Sequence, residues 1–396
     1  MASIDGPVEG AADLPLDGLT VVDLSQYLAG PSCALRLADL GARVIKVERP
    51  QGGDAGRHLY LAGLEFDGSS ALFHAINRNK ESYAADLKDP ADAAAVRALL
   101  ARADVVIHNF RPGVMDRLGF GWDAVSALNP RIVYAGVSGY GLEGPWRDKP
   151  GQDLLVQSLT GMAWLSGNAD GPPVPAGLSI VDMMAGAQLC QGVLALLVRR
   201  GVSGRGGRID VSLMEAAIDL QFEHLAVYLN QNGPTPQRSE IANGNVYLAA
   251  PYGIYATADG YLALAMTPVS QLGALIGLDS LIDIPTRDEF DRRDDIKAQL
   301  SNALAQHDTA HWLSILEPAG VWTAPVLDWP ALVAHPAFAA LGMTQGIAAA
   351  DGATMTLTRC PIRIDGRILT SSRSAPRLGA DRTAIDRDIA DREIAA

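Results

Sequence analysis

Short β-branched runs alternate with helix-like stretches through the first half of the chain. Residues 19–25 (LTVVDLS) follow the turn LDG and predict a strand. Residues 31–42 open on Pro31 and stop at Gly41, the punctuation of a helix. Residues 43–49 (RVIKVER) predict a second strand, 90–103 an alanine-rich helix, and 104–110 (DVVIHNF) a third strand. The stretch DAVSALNP predicts a short helix and 131–141 another strand. Strands alternating with helices build a parallel sheet covered on both faces.

Residues 204–213 predict a loop and then a strand, and 214–233 a helix ended by Gly233. The polar stretch 233–245 (GPTPQRSEIANGN) has the composition of a linker. Beyond it, 250–266 predicts a hairpin turning at ADG, and 287–306 and 309–320 predict helices. Strands return near 354–366, and the charged tail predicts a peripheral helix. The expected organisation is an α/β chain in three parts. A large Rossmann-like domain begins in 1–228, a smaller α/β domain occupies 229–330, and 331–396 returns to the large domain.

One apolar run stands apart. Asp182 is followed by 16 uncharged residues, Met183–Val198, ending at Arg199 and Arg200. That run is short for a membrane span and contains Gly186, Gln188, Gln191 and Gly192, so it predicts a buried core helix. Asp182 at its start has two readings. It is a helix N-cap, or it is a carboxylate held ionised by the free N–H groups and dipole of the helix, and so able to act as a covalent nucleophile. The loop 166–177 (SGNADGPPVPAG), rich in glycine and proline, is a candidate source of backbone donors for a developing oxyanion.

Charge and cysteine usage narrow the partners. The 396 residues carry 45 acidic and 32 basic side chains, a formal net charge of −13. That balance argues against nucleic acid or an anionic membrane as main partners. Cys33, Cys190 and Cys360 are far apart and odd in number, without metal spacing, which fits a reducing cytoplasm. The acidic N-terminal stretch lacks the basic and apolar regions of a signal peptide. The first strand–helix junction, DLSQYLAGPS, has no GxGxxG, which weighs against nicotinamide or flavin. His307 and His311 are four apart but lack a third ligand, so no metal site is expected.

Several strings, in order and spacing, resemble one family. They are PLDGLTVVDLSQYLAGP (15–31), LGARVIKVERP (40–50), NRNKESYAADLK (77–88), ADVVIHNFRPGVMDRLGF (103–120), LNPRIVYAGVSGYGLEGP (128–145), GQDLLVQSLTGM (151–162), VDMMAG (181–186), GRGGRIDVSLMEAA (204–217) and PYGIYATADG (251–260). Together they are similar to the family III CoA-transferases, whose fold is shared by the α-methylacyl-CoA racemases. The resemblance implies an α/β fold whose two copies interlock as a homodimer, with acyl-CoA and small carboxylic acids as partners. It implies that Asp182 carries first the acyl group and then CoA. It also implies that coenzyme A, as substrate, meets Leu28, Ala29, Arg49, Leu87, Lys88, Asn109, Phe110 and Arg117. The chemistry is compatible at several of these: Arg49 can stack on adenine or meet a phosphate, and Lys88 and Arg117 can neutralise phosphate charge.

The same resemblance separates two reactions. The racemases carry His before the Asp of a G-H-D string, and this chain has Gln152 there. An amide does not exchange a proton near neutral pH. The later racemase acid faces Ala256. Both differences point to transfer rather than epimerisation. Racemase and non-catalytic acyl-CoA-binding protein stay as alternatives. Leu28 stands where the formyl-CoA branch has glutamine, and LGADRT where L-G-E-H-T is usual, so formyl-CoA and oxalate are not the expected substrates.

Overall fold

A computed structural model describes residues 14–230, 235–349 and 352–394. A six-stranded sheet is assembled from β1 (Thr20–Asp23), β2 (Arg43–Glu48), β3 (Glu81–Ala84), β4 (Val105–His108), β5 (Val133–Ser138) and β6 (Gly207–Ser212). Its order is β3-β2-β1-β4-β5-β6 and every neighbouring pair is parallel. In register, Val22 lies between Ile45 and Val106. β1, β2, β4 and β5 are buried almost throughout, which is why their sequences are largely apolar, whereas the edge strand β6 exposes Arg208 and Asp210. β3 was not foreseen: ESYA is short and half polar, and its place is set by pairing with β2.

Helices α1 (Ala29–Asp39), α2 (Pro90–Leu100) and α3 (Trp122–Leu128) follow the expected alternation, α4 (Asp153–Leu159) is added after β5, and α5 (Ile180–Ser203) then follows as expected. Asp89 caps α2 through Ala91 and Asp92 N–H, with Pro90 at its first position. Val22, Ile45, Val96, Leu100, Val106 and Tyr134 belong to one core cluster, together with Ile385 of the C-terminal helix Arg382–Ile394. α5 runs 24 residues, longer than the uncharged run that predicted it. By length and apolarity alone it is sufficient to cross a membrane. It packs against α1, β5 and β6, but Met183, Val198 and Val202 are exposed, so the helix expected to be buried in the core is only partly buried in the single chain.

The chain divides into two compact units. One takes the segment up to Val156, Ile180–Ala217, and the segment from Gly342; the other takes Gln157–Ser179 and Ile218–Leu341. The second unit holds the hairpin β7 (Gly253–Ala256) and β8 (Tyr261–Ala265), joined antiparallel by β9 (Trp322–Pro325). Its core gathers Tyr255, Leu262, Leu272, Leu300, Trp312 and Leu316.

Two expectations are corrected. The helix expected over 214–233 is broken at 220–221, as Leu213–Asp219 and Phe222–Asn230, with 231–233 outside the described residues. The stretch expected as a linker is tied down where described. Arg238 is buried and donates to the carbonyls of Ser166 (3.0 Å), Pro172 (3.2 Å) and Gly171 (2.8 Å). Asn243 Nδ2 donates to the carbonyls of Leu165 and Gly167, and Lys297 Nζ donates to Ser239 Oγ and the Ala242 carbonyl. Burial, with Arg293 adding to it, holds the Lys297 ammonium down at about 8. Loop carbonyls that cannot form a ladder find cations instead.

Candidate active site

The strand order reverses between β1 and β4, so the loops that follow them diverge and leave a crevice at the carboxyl edge of the sheet. The loop after β1, Ser25–Leu28, is fixed from several sides. Asn109, just past β4, accepts from Gln26 N–H (2.8 Å) and donates to Gln26 C=O (2.6 Å). Asp54 accepts from Tyr27 N–H at 3.1 Å. Lys46 Nζ donates to Ser25 C=O at 2.8 Å, and Asp23 accepts from Ser25 N–H at 3.0 Å.

Beneath this loop lies a buried ionic cluster. Lys46 Nζ is 2.8 Å from Asp54 and 3.9 Å from Asp23, and Lys80 Nζ is 2.9 Å from Asp23. Arg57 forks onto both oxygens of Glu48 at 2.7 Å each. Burial works against the Asp23 carboxylate, but Lys80 and Lys46 outweigh it and hold the carboxyl below its usual range. Burial dominates for Lys80 and brings it down to about 8. Removing one partner from such a cluster leaves an uncompensated buried charge, so it fixes the loop in one conformation.

A crevice beside the loop is lined by Gln26, Arg49, Gly53, Asp54, Leu87 and Phe110. Arg49 is exposed at the end of β2, and Leu87 is half-buried beyond β3. Of the eight residues expected to meet CoA, Arg49, Leu87 and Phe110 therefore converge. Leu28 and Ala29 open α1 next door, Leu28 half-buried and Ala29 buried. Asn109 holds Gln26 from outside the lining. Lys88 and Arg117 are exposed and do not line the crevice; Arg117 ends the short helix Val114–Arg117. All eight belong to the same compact unit.

Asp182 lies in that unit too, but not as a cap. It is the third residue of α5 and half-buried. The capping carboxylate is Asp153, which begins α4; its Oδ2 accepts from Val181 N–H at 2.8 Å and from Asp182 N–H at 2.9 Å. Asp153 thus satisfies first-turn donors of the neighbouring helix α5. Asp182 is left free of that duty. Burial chiefly, and the Asp153 charge after it, push the Asp182 carboxyl up to about 7. The sequence-based expectation of a carboxylate held ionised by the helix end is reversed: the helix end is taken, and the nearest charge is repulsive.

α5 meets α1 through Gly186, one helical turn beyond Asp182 and on the same face. A Cβ at Gly186 would lie 2.6 Å from the Ala29 carbonyl oxygen and 2.0 Å from Ser32 Oγ. Glycine lets the two backbones touch, and this sets the turn carrying Asp182 beside the Leu28–Ala29 end of α1. A half-buried carboxylate and a crevice with a cationic rim thereby flank one loop.

The family likeness extends well beyond these residues: the model of CoA-transferase family III matches residues 16–382. The chain belongs to CoA-transferase family III. The acetyl-CoA:oxalate CoA-transferase of Acetobacter aceti is 36% identical over 79% of this chain and 81% of its own. The succinate–glutarate CoA-transferase of Agrobacterium fabrum is 33% identical over 92% and 93%. In structure, a CAIB/BAIF family protein from Brucella suis superposes with a TM-score of 0.82 at 30% identity, covering 95% of this chain and 99% of that one. As a family III CoA-transferase the chain is a transferase acting on CoA thioesters.

Sequence inspection missed three residues of this site. Asp153 stands just before LLVQSL, where the sequence marks it only as a cap of its own helix. Its acceptor role across to α5 has no local signal beyond an aspartate at a helix start. Gly186 carried none, because glycine in an apolar helix has many causes. His108, beside Asn109, is stacked on Phe110 (6.4 Å, 19°), and burial lowers it to about 4, so it is neutral at pH 7.

Proposed function

We propose that the protein moves CoA from an acyl-CoA thioester to a small carboxylic acid through covalent intermediates on Asp182. An Asp182 oxygen attacks the thioester carbonyl carbon, the C–S bond breaks, and CoA leaves as thiolate, giving an aspartyl–acyl anhydride. The thiolate returns to the aspartyl carbonyl carbon, giving an aspartyl–CoA thioester and freeing the first acid as carboxylate. The acceptor carboxylate attacks that thioester and expels the thiolate. The thiolate then takes the new acyl group and restores the Asp182 carboxylate. No net proton or electron is exchanged.

One observation carries this reading. Asp182 is a half-buried carboxylate relieved of capping by Asp153, on the helix turn set beside Leu28 and Ala29 by Gly186. A carboxylate of pKa about 7 is a stronger nucleophile than an ordinary one and is still substantially ionised at pH 7. On this reading CoA places its nucleotide near Arg49, Leu87, Lys88, Asn109, Phe110 and Arg117, and its thioester near Leu28, Ala29 and Asp182. The named substrates of the relatives, oxalate and succinate–glutarate, support a short acid as acceptor.

The test is exchange. Protein, an acyl-CoA and a second carboxylic acid are mixed, and new CoA esters are sought by mass across a panel of short mono- and dicarboxylic acids. Failure of every pair would refute the reading. Deuterium entering the α-carbon of a 2-methylacyl-CoA without acceptor acid would favour the racemase instead.

The functional form on this reading is a cytoplasmic homodimer. Val198 and Val202, toward the end of α5, are exposed in the single chain, Val202 to 91%. Apolar residues so placed fit burial against a second copy. A stable, active monomer in sedimentation would count against it.

A further inference from the structure

We propose that Tyr27 selects the acid exchanged on CoA, its hydroxyl donating to the second carboxylate of a short dicarboxylic acid. The proposal rests on the transferase reading above.

Tyr27 is the residue of the β1–α1 loop held in the left-handed region, at φ 64°. That conformation is unfavourable for a side chain bearing a Cβ, and glycine or asparagine normally takes it. It persists where the surroundings over-determine the backbone. Here they do: Gln26 is held at both N–H and C=O by Asn109, and Tyr27 N–H is held by Asp54, itself paired with buried Lys46. The strain is sustained by Lys46 on β2 and by Asp54 and Asn109 in the loops that follow β2 and β4.

The side chain itself gains nothing visible from this effort. Tyr27 is 52% exposed and belongs to no core cluster. Its hydroxyl has no hydrogen-bond partner among the described residues. A rigid loop therefore displays a free phenol directly before Leu28, at the end of α1 that Gly186 draws up to the Asp182 turn. Residues held off-minimum with an unused polar group are poised for a ligand. The segment Gln26–Gly30 carries no cation, so recognition of a carboxylate there falls to a neutral donor. A phenol O–H accomplishes this, and an acid lacking the second carboxylate leaves it idle. The relatives named for oxalate and for succinate and glutarate act on acids of that class.

The test compares succinyl-CoA with butyryl-CoA as donors, matched in chain length, using the intact protein, Tyr27→Phe and Tyr27→Gly. The expected result is that wild type prefers succinyl-CoA in kcat/KM and that Tyr27→Phe lowers the preference at least tenfold. Free CoA should bind both variants within about twofold of wild type by calorimetry. Tyr27→Gly relieves the left-handed strain, so it folds, and it should lose the preference as fully. A succinyl-to-butyryl ratio unchanged within twofold in both variants overturns the proposal, as does a wild type preferring butyryl-CoA. Dissociation of Tyr27→Gly in sedimentation with the ratio intact would make Tyr27 an interface residue and overturn it equally. Absence of any transfer by wild type would instead sink the transferase reading.

Discussion

The carboxylate of Asp153 accepts the backbone N–H of Asp182 at 2.9 Å, while the two carboxylates repel one another. One residue thus supports the helix that carries the candidate nucleophile and raises the pKa of that nucleophile. The two effects separate experimentally, because a neutral acceptor keeps the first and loses the second.

The first prediction concerns pH. Asp182 passes from mostly neutral to mostly ionised around pH 7, so kcat/KM should climb with pH through that value and level off above it. Asp153→Asn removes the repelling charge and retains an oxygen for the helix N–H groups. Its ascending limb should move to lower pH. A limb that stays in place, measured from pH 5 to 9 with one donor–acceptor pair, would remove Asp153 from the tuning of Asp182.

Stability carries the same signature. A folded-state pKa raised above the ordinary 3.8 means that folding is favoured below that value and loses stability as pH rises toward 7. Asp182→Asn cannot ionise. It should abolish transfer, yet melt no lower than wild type at pH 5 and higher at pH 8, by at least about 1 kcal/mol. Thermal melts at the two pH values check this, and a variant that melts lower at pH 8 contradicts it.

Gly186→Ala should be damaging despite better helix propensity. Alanine gains about 1 kcal/mol in a helix. Overpacking costs about 1–3 kcal/mol, and one of the atoms in the way is the Ala29 backbone oxygen, which cannot swing aside. The expected result is a net loss of stability and a fall in kcat as α5 shifts on α1. Replacing Ser32 with glycine in the same chain should recover only part of either. Full activity in Gly186→Ala would show that the close approach of the helices is dispensable.

Asn109→Ala should raise KM for acyl-CoA at least tenfold and also lower the melting temperature of the ligand-free protein. Two hydrogen bonds to Gln26 disappear, each worth about 1 kcal/mol, and the loop that opens α1 loosens. A residue that only touched CoA would leave the ligand-free melt unchanged, and that outcome would reassign Asn109 to direct binding.

The alternation of β-branched runs with punctuated helices was enough to predict five of the six parallel strands and helices α1, α2 and α3, because strand and helix periods are local properties of the chain. The apolar run after Asp182 located α5 for the same reason. The family strings placed Asp182 and the eight CoA positions in one framework, though Lys88 and Arg117 lie off the crevice that Arg49, Leu87 and Phe110 line.

Other features had no local trace. β3 is short and half polar, and it is a strand only because β2 offers an edge. The segment 235–245 has a linker's composition, yet Arg238 is buried because loop carbonyls 66 to 72 residues away in sequence need donors. Asp182 looks like a cap in sequence, and the neighbour that displaces it, Asp153, is 29 residues distant. Its shifted pKa, the strain at Tyr27 and the contact at Gly186 arise where separate elements meet. Local pattern dictated which residues became strands and helices. Only their packing decided which carboxylate caps the helix, which is free to react, and which aromatic is held out for a ligand, because burial and charge proximity depend on neighbours that the sequence does not place side by side.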